Sequence, residues 1–505
     1  VLLTCAALAA RALVFTASAS AADHLTPPGG LLKLDADLVL SGADKLELAG
    51  TKEKPCTLEG GNFRIVTRGK WTGAIRMVHC KIHKLGKSEN PADARLAPDC
   101  EVILVQASGK GEVGIENCTF DECNGLSVNN GDQSTTRFLR NTVLENSLNR
   151  IDKQPGLTRC FFSASGASPA PKFFQGNRIY RGSTSFGSPN WLVGGDKDEE
   201  SNIVAGLRTG IFATSPDTVV RGNYLECNLK VTEEFIYWSQ VSTFSTKGLA
   251  EHNVINRGHW VVRGIEGEFR YNLVMEPHGH NSIQIGKGKV HHNIFAHPCR
   301  EPDHFGSSNI IGASSVISQI YATDGFEIYN NTFDGKGLGN GIDIPRESFC
   351  PSVRNNAFFN FEAARVIGPG WDEKAAEPLP ERLGYADYNL FHNPAMKPCD
   401  NYAIAVKGKQ ERKDAGFALN DVPKGGGINA QCDPKFKGPI PVKFPFALDD
   451  IKAGKVTVSQ ILKFYRDAYS PAPGSPLMDA GDPADGTGID IGAVDAGKPA
   501  VWKTP

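Results

Sequence analysis

The chain has 505 residues, of which 40% are hydrophobic and 22% are charged, and its formal net charge is −2. This composition is typical of a soluble chain that buries a large core, and it excludes a disordered chain, a collagen and a multispan membrane protein. The 54 basic residues are balanced by 56 acidic ones, so no basic excess indicates nucleic-acid binding. With 54 glycines and 31 prolines, the chain must turn often.

The N-terminal residues predict a secretory signal peptide. A mostly apolar run covers 1–15, with Arg11 inside it, and it leads into the small residues 17–21. Signal peptidase cleaves after such a pattern, so we expect 1–21 to be removed and the protein to be secreted or periplasmic. A buried first helix is the alternative. No other segment of the sequence is long and apolar enough to span a membrane.

The cysteines do not predict a fold in which every cysteine is paired in a disulfide. Of the twelve, Cys5 would leave with the signal peptide, so an odd number remains. Cys80 and Cys118 are expected to be buried thiols, whereas Cys399 and Cys432 lie in an irregular region that suits a disulfide. No Cys-x-x-Cys occurs, and the Cys and His residues show no zinc spacing.

A short phrase recurs along the middle of the chain: an apolar residue, two further residues, Asn, one residue and a second apolar residue. The spacing of about 20 residues, with insertions, indicates the coils of a solenoid. Each copy reads as a strand, an Asn in the left-handed conformation and another strand, so stacked coils would bring the amides into a ladder. Cys80 and Cys118 occupy the Asn slot in two earlier copies. The nine Asn slots are Asn141, Asn177, Asn223, Asn253, Asn272, Asn293, Asn331, Asn356 and Asn389.

With this repeat the chain resembles the right-handed parallel β-helix proteins of the pectate-lyase-like superfamily, an all-β solenoid fold. The resemblance implies a single domain, with an N-terminal cap at 22–60, the β-helix at 61–395 and a C-terminal extension at 396–505 packed on the helix. The tail is similar to the closing segments of secreted bacterial β-helix proteins, at 387–391, 433–436, 475–481 and 490–493.

Long insertions predict where a substrate would bind. The largest gaps between Asn slots follow Asn177 and Asn293. In this fold they would place long loops near 181–208 and 297–319 on one edge, as walls of a groove over the first strands of 210–345. A long groove suits a linear polymer, so a polysaccharide is the expected partner.

Ionisable and aromatic residues concentrate in this groove. His278 and His280 lie in 276–280, which is expected to be a return loop, whereas His252, His291 and His292 are expected to be surface or stacking residues. The alternative for any single residue is a solubilising charge or a core tryptophan. The catalytic candidates are Lys247, Arg263, His278, His280, Asp324 and Asp343. The substrate-binding candidates are Trp191, Trp238, His259, Trp260, Glu276, Gln284 and Arg346.

Eliminative cleavage of an acidic glycan is the first hypothesis for the function. A lyase needs a cation or Ca²⁺ to neutralise the sugar carboxylate, a base for the C5 proton and an acid for the leaving oxygen. Arg263 with Lys247 or His278 meets this need. Residues 245–247 and Val262-Arg263 are faintly similar to the Lys and Arg pair of the alginate and chondroitin lyase family, at a shorter spacing. The sequence itself indicates no certain cofactor. The lyase hypothesis would add Ca²⁺ as a cofactor.

Two further classes stay open. An inverting hydrolase on the same fold needs two carboxylates about 6.5–9.5 Å apart, for which Asp324 and Asp343 are the candidates. The polygalacturonase signature is incomplete here, and 276–279 lacks the last acid of the epimerase motif Asp-Pro-His-Asp. A non-catalytic glycan-binding or adhesive β-helix is the third possibility. Nothing in the sequence argues for an oligomer, so a monomer is expected.

Overall fold

The computed structural model divides into two compact units. The first consists of Val1–Lys153 and Arg159–Lys172, and the second of Gln154–Thr158 and Phe173–Pro505. The described residues are 14–17, 23–61, 63–86, 101–107, 110–147, 160–227, 242–285, 287–296, 318–322, 325–335, 340–343, 349–360, 365–368, 383–392, 403–404 and 429–496.

The first unit consists of short parallel strands. Its inner positions repeat from coil to coil, since Leu48, Met77, Ile115 and Phe138 are register partners in succession and all are buried. The strands are β1 Val14–Ala17, β2 His24–Thr26, β3 Leu31–Leu34, β4 Leu38–Ser41, β5 Lys45–Ala49, β6 Cys56–Glu59, β7 Ile65–Arg68, β8 Ala74–Val78, β9 Cys80–His83, β10 Glu101–Ala107, β11 Glu112–Glu116, β12 Thr119–Asp121, β13 Gly125–Asn130, β14 Thr135–Leu139, β15 Thr142–Val143 and β16 Cys160–Ser165.

The second unit repeats the same plan. Its strands are β17 Lys172–Gln175, β18 Arg178–Phe186, β19 Trp191–Gly194, β20 Ile203–Ala213, β21 Val219–Arg221, β22 Tyr224–Cys227, β23 Ser242–Thr246, β24 Leu249–Glu251, β25 Val254–Ile265, β26 Glu268–Arg270, β27 Leu273–Ile285, β28 Gly288–His291, β29 Ile294–Ala296, β30 Ser318–Ala322, β31 Phe326–Tyr329, β32 Thr332–Asp334, β33 Asn340–Asp343, β34 Cys350–Arg354, β35 Ala357–Phe359, β36 Arg365–Gly368, β37 Leu383–Asp387, β38 Leu390–His392, β39 Ala403–Ile404 and β40 Ala430–Gln431.

Within each unit the expected parallel β-helix is confirmed. All pairings between the described strands are parallel, and each strand pairs with its counterpart one coil later, as β24 does with β26 and β26 with β28. Strands that precede the Asn slots form one sheet, here called sheet B, and strands that follow them form another, sheet A. The inner face is apolar throughout: the rings of Phe295, Phe333, Phe358 and Phe391 stack at centroid distances of 4.8–5.0 Å. Each such buried ring stabilises the unit by about 1.5–3 kcal/mol.

The predicted amide ladder runs through the second unit. Each Asn side chain donates from Nδ2 to the Oδ1 of the next one at 2.8–3.1 Å. Its Oδ1 also accepts the backbone N–H of the preceding Asn, as in Asn253 N to Asn272 Oδ1 at 2.9 Å. The members are Asn177, Asn202, Asn223, Asn253, Asn272, Asn293, Asn331, Asn356, Asn389 and Asn429, all buried. The repeat phrase missed Asn202 and Asn429, because their copies lack its first apolar residue.

At most of the described ladder turns the left-handed residue is not the Asn, as the sequence predicted, but the residue before it; Ser201 before Asn202 is an exception, with φ of −64°. Examples are His252, Tyr271 and His292, with φ of 55–56°. The Asn keeps an ordinary backbone because its side chain must point inward to bond with the next coil. The left-handed position therefore accepts side chains as large as Tyr, which stack outside the turn: His252 lies 5.2 Å from Tyr271, in parallel rings. His291 likewise stacks on Tyr329 at 4.6 Å, so the prediction of stacking histidines is confirmed for both.

Two predicted boundaries are wrong. The segment 22–60, expected to be a cap, forms coils of its own, since β5 pairs with β8 and β6 with β9. The loop expected at 181–208 is a further coil: β19 and β20 flank Asn202 in it. The gap after Asn177 therefore contains two coils, and one of the two predicted groove walls does not exist. The second predicted wall lies almost entirely outside the described residues.

The C-terminal extension covers the outer face of sheet A in the second unit. Helices α1 (Leu448–Lys452) and α2 (Val458–Ala468) contribute apolar residues to this contact, and α2 begins with a capping box between Thr457 and Gln460. The buried apolar residues at the contact are Ile203, Ala205, Tyr224, Val254, Leu273, Met275, Ile294, Ala296, Ile451, Val458, Ile461, Leu462, Tyr465, Tyr469, Ala493 and Val494. No helix among the described residues has the length and hydropathy to cross a membrane.

Candidate active site

The successive strands β23, β25, β27, β30 and β33 belong to sheet A of the second unit, and β25, β27 and β33 among them carry predicted site residues. One register line begins with Phe244, whose partner is Val262, and continues through the positions of Ile283 and Ile320 to Ile342. Phe244, Val262 and Ile342 are fully buried. This apolar row fixes the register, because a slip by one residue would turn it out of the core.

The register position immediately after this buried row carries chemically active residues on four consecutive coils. Arg263 is paired with Gln284, Gln284 with Tyr321, and Tyr321 with Asp343. We call these four residues the register row. Strands are about 4.8 Å apart, so the row extends over roughly 14 Å, about the length of a few sugar rings. The pairing thus places the backbone positions of Arg263, Gln284 and Asp343 in one register line, and it adds Tyr321, which the sequence analysis did not single out because no motif surrounds it.

Lys247 lies at the end of β23, beside the register row. Its Nζ contacts Glu266 Oε2 of the next coil at 3.0 Å, and both side chains are about half exposed. The turns that carry this pair are closely stacked, since a Cβ added to Gly267 would lie 2.2 Å from the carbonyl oxygen of Gly248. The contact pairs the Lys247 side chain with a carboxylate of the neighbouring coil. Glu266 is a second residue that the sequence did not single out.

The segment 276–280 is not the return loop that the sequence predicted. It lies within β27, a continuous strand of 13 residues, and His259 and Trp260 lie in the neighbouring strand β25. Trp260 is paired with Asn281, and Gly258 with Pro277. The histidines are therefore placed by strand pairing, close to the register row along the same two strands.

Trp191 does not form the predicted sugar platform. Its side chain is 1% exposed, its Nε1 donates to Ser188 Oγ at 2.8 Å and its ring packs on Phe186. The physical reason is that Trp191 is the first residue of strand β19 and points into the core. This strand belongs to the coil that the sequence analysis predicted to be a loop. Asp324, Trp238 and Arg346 lie outside the described residues, and so does Cys399.

The outer face of sheet B in the second unit carries a charge network that neutralises itself. Arg270 contacts Glu251 at 2.7 Å and Glu268 at 2.8 Å, and Glu268 accepts from His291 Nε2 at 2.9 Å. Burial alone would raise the pKa of Glu268, but the hydrogen bond from His291 and the charge of Arg270 outweigh it and lower that pKa. These four groups are paired with one another across the three successive strands β24, β26 and β28.

Among the side chains that the structure describes, no three His, Cys, Asp or Glu residues converge as a metal site. The register row supplies one carboxylate, Asp343, whereas Ca²⁺ takes six to eight oxygen ligands. This row alone therefore does not fit Ca²⁺, and we assign no step to it.

No family model and no curated protein matches this chain. Several solved structures do match this chain. One is the PL6 family polysaccharide lyase Pedsa3628 from Pseudopedobacter saltans, with 14% identity, a TM-score of 0.27 and coverage of 82% of this chain and 90% of that one. Another is a variant of the PL6 family alginate lyase AlyGC, with 14% identity, a TM-score of 0.26 and coverage of 81% and 58%. Likeness at this level carries no argument about function.

Proposed function

We propose that this chain cleaves an acidic polysaccharide by β-elimination along the register row of the second unit. The observation that supports the proposal is the row itself: Arg263, Gln284, Tyr321 and Asp343 occupy one register position on consecutive coils, and Lys247 directly follows the neighbouring strand β23. A polymer lying across the coils would meet these residue types in sequence.

The elimination needs three functions, and the row supplies a residue type for each. The Arg263 guanidinium, with Lys247 at the edge, would neutralise the sugar carboxylate and make the neighbouring C5–H more acidic. The Tyr321 phenolate would accept the C5 proton. The C4–O bond then breaks as the C4=C5 double bond forms, and the departing oxygen would take the proton that the Tyr321 phenol received from C5. Gln284 would hydrogen-bond the sugar hydroxyls.

A panel of acidic polysaccharides tests the proposal: pectate, alginate, chondroitin and ulvan, with and without chelator. We expect ultraviolet absorbance from the unsaturated product together with new reducing ends. New ends without absorbance would indicate hydrolysis and contradict elimination. Binding of a polymer without either signal would make the β-helix a non-catalytic glycan-binding scaffold. Loss of activity with chelator would show that Ca²⁺ is needed after all.

Variants locate the activity in the row. Arg263→Gln and Tyr321→Phe should each lower kcat by about 10²–10⁴-fold, the usual range for losing an acid–base or charge-stabilising group. The matched control is Arg76→Gln, which removes an exposed arginine of the first unit and should leave kcat unchanged. Full activity in both row variants would place the reaction elsewhere. Because secretion is still a prediction, the amount of protein in the secreted fraction and in the cell-retained fraction should also be compared.

A further inference from the structure

An irregular segment of the C-terminal extension, 435–446, lies along α2 with one side packed on the protein and the other side in solvent. The backbone N–H groups of Lys437 and Gly438 donate to the carbonyl oxygens of Ser470 and Ala468, at 2.8 and 3.0 Å. The side chains that pack inward, against the apolar contact with sheet A, are Phe436, Ile440, Phe444 and Phe446. The segment is therefore held in place by its own apolar residues.

The outward side of this segment carries three cations. Lys435, Lys437 and Lys443 are exposed, whereas Phe436 and Phe444 beside them are only partly exposed. We call the three lysines the lysine strip. A chain of this length extends over at most about 29 Å, so the strip is a short line of charge on the surface of the second unit.

The lysine strip concentrates positive charge in a chain whose formal net charge is −2. The sequence from 435 to 447 contains three lysines and no acidic residue. Lys455 and Lys463, two other exposed lysines of the extension, pair with Asp450 and Asp467. The ion pairs of the described part of the chain do not include the three lysines of the strip. Their charges are thus available to an anion from outside the protein.

Exposed apolar groups lie between and beside these cations. Val442 is 78% exposed, and Pro439 and Pro445 are exposed as well. Phe464 of α2 is 40% exposed, and its ring centroid lies 5.3 Å from that of Phe446. An acidic polysaccharide offers both partners, because its carboxylates pair with ammonium groups and the C–H faces of its sugar rings pack on apolar surface.

The order of these residues favours a linear polymer over a membrane. Cationic and apolar residues alternate along one segment, whereas a helix that lies on a lipid surface separates them into two faces. A linear anionic polymer would meet a cation, an apolar group and a further cation in succession along 435–446.

We propose that the lysine strip, with the exposed apolar residues between its lysines, binds a linear anionic polysaccharide as a second, non-catalytic site. The choice of an acidic polysaccharide rests on the proposed function. The strip itself includes no residue of the register row. Polymer held there is bound equally before and during the reaction, so the strip would lower KM and leave kcat unchanged.

A triple variant of the strip tests the proposal by its affinity for pectate and alginate, measured by affinity electrophoresis in the presence of chelator. We expect the dissociation constant to rise by about 10-fold, since each exposed ion pair contributes up to about a five-fold change in affinity. Wild-type affinity should also fall at high salt, which screens exposed charges. The matched control removes the same charge from three exposed lysines elsewhere on the second unit and should change the affinity by less than about two-fold. The variant is Lys435→Gln/Lys437→Gln/Lys443→Gln, and the control is Lys289→Gln/Lys455→Gln/Lys463→Gln.

Turnover separates this proposal from the proposed function. In an active lyase, the strip variant should show a higher KM for long polymers, an unchanged kcat, and wild-type kinetics on short oligosaccharides. Polymer binding that depends on the strip, in a chain that cleaves nothing, would support the strip and contradict only the lyase. Equal affinity of the strip variant and the control would overturn the proposal. Equal binding of the neutral polysaccharide dextran, or preferential binding of phosphatidylglycerol vesicles, would overturn it as well.

Discussion

Single buried polar side chains connect the coils at the residue scale. In the second unit, the amide of Asn293 donates to Asn331 Oδ1 at 3.0 Å and to the Phe269 carbonyl at 2.8 Å, while its oxygen accepts from Asn272. In the first unit, thiols take this position on some coils: Cys118 Sγ contacts the Met77 carbonyl at 3.5 Å, and Asn141 follows on the next coil. The predicted burial of Cys80 and Cys118 is confirmed, at 2% and 1% exposure. A thiol, which is a small hydrogen-bond donor, is sufficient where the coil makes one hydrogen bond to the previous coil.

Asn293→Ala should destabilise the second unit by about 3–5 kcal/mol. The substitution removes the bonds of one amide and leaves the backbone N–H of Asn272 and one hydrogen of its Nδ2 without their acceptor, each at about 1–3 kcal/mol, whereas Asn331 Oδ1 keeps the backbone N–H of residue 293. Urea denaturation measures the change. The control Asn146→Ala removes an exposed amide outside the ladder and should shift the midpoint little. Equal shifts for both variants would show that the ladder contributes no special stability.

His252 should make the second unit sensitive to acid. Burial is the main cause that lowers its pKa to about 4, and the charges of Arg466, Arg221 and Arg270 add to this against the opposing effect of Glu251. Unfolded histidine titrates near 6.5, so the unfolded state binds the proton first. The contribution of His252 is therefore complete above about pH 6.5 and is lost as the pH falls toward 4, by about 3 kcal/mol.

The difference between wild type and His252→Asn isolates this effect, because Asn accepts the left-handed turn and does not titrate. Denaturation at a series of pH values should show a flatter acid limb for the variant, whereas the control His79→Asn keeps the wild-type slope. Parallel pH profiles for wild type and His252→Asn would contradict the assignment.

At the scale of elements, the C-terminal extension is joined to the second unit by a few buried polar bonds within an apolar contact. Tyr469 OH donates to Asp334 Oδ2 at 2.6 Å, and both side chains are buried. Ser459 at the start of α2 donates its backbone N–H to Asp198 Oδ1 at 3.1 Å. Arg466 donates to the Ala493 carbonyl at 2.9 Å, and burial lowers its pKa to about 10. These bonds fix the register of α2 on a surface that is otherwise apolar and non-directional.

Tyr469→Phe should destabilise the second unit by about 1–3 kcal/mol, because it leaves the buried carboxylate of Asp334 without that donor. A double-mutant cycle with Asp334→Asn, followed by urea denaturation, measures the coupling between the two side chains. Additive effects would mean that the hydrogen bond contributes nothing beyond packing.

Ile461→Asp should separate α2 from the sheet. Ile461 is fully buried in the contact, so a carboxylate there would lose its solvation or expose the apolar outer face of sheet A. We expect increased binding of an apolar dye and a lower unfolding temperature. The control Lys463→Asp changes an exposed residue of the same helix and should leave dye binding unchanged. Equal dye binding by the two variants would argue against the contact.

At the scale of the whole molecule, the division into two compact units predicts unfolding in more than one step. Solenoid stability is close to a sum over neighbouring coils, so cooperativity weakens as the array lengthens. Scanning calorimetry should resolve two transitions, and Asn293→Ala should lower only one of them. A single transition that moves as a whole in this variant would contradict the prediction.

The sequence by itself determined the repeating coil, the inward Asn slots and the buried thiols, because each depends on a local pattern of apolar residues around one small polar side chain. The tertiary structure decided what depends on stacking. It revealed the coil around Asn202 that the repeat phrase missed, and with it the burial of Trp191. It also aligned Arg263, Gln284, Tyr321 and Asp343, and it set His259 opposite 278–280. The physical reason is that the buried apolar row fixes which residues of neighbouring coils are paired. Because the coils differ in length, the spacing of residues along the sequence does not predict these pairs.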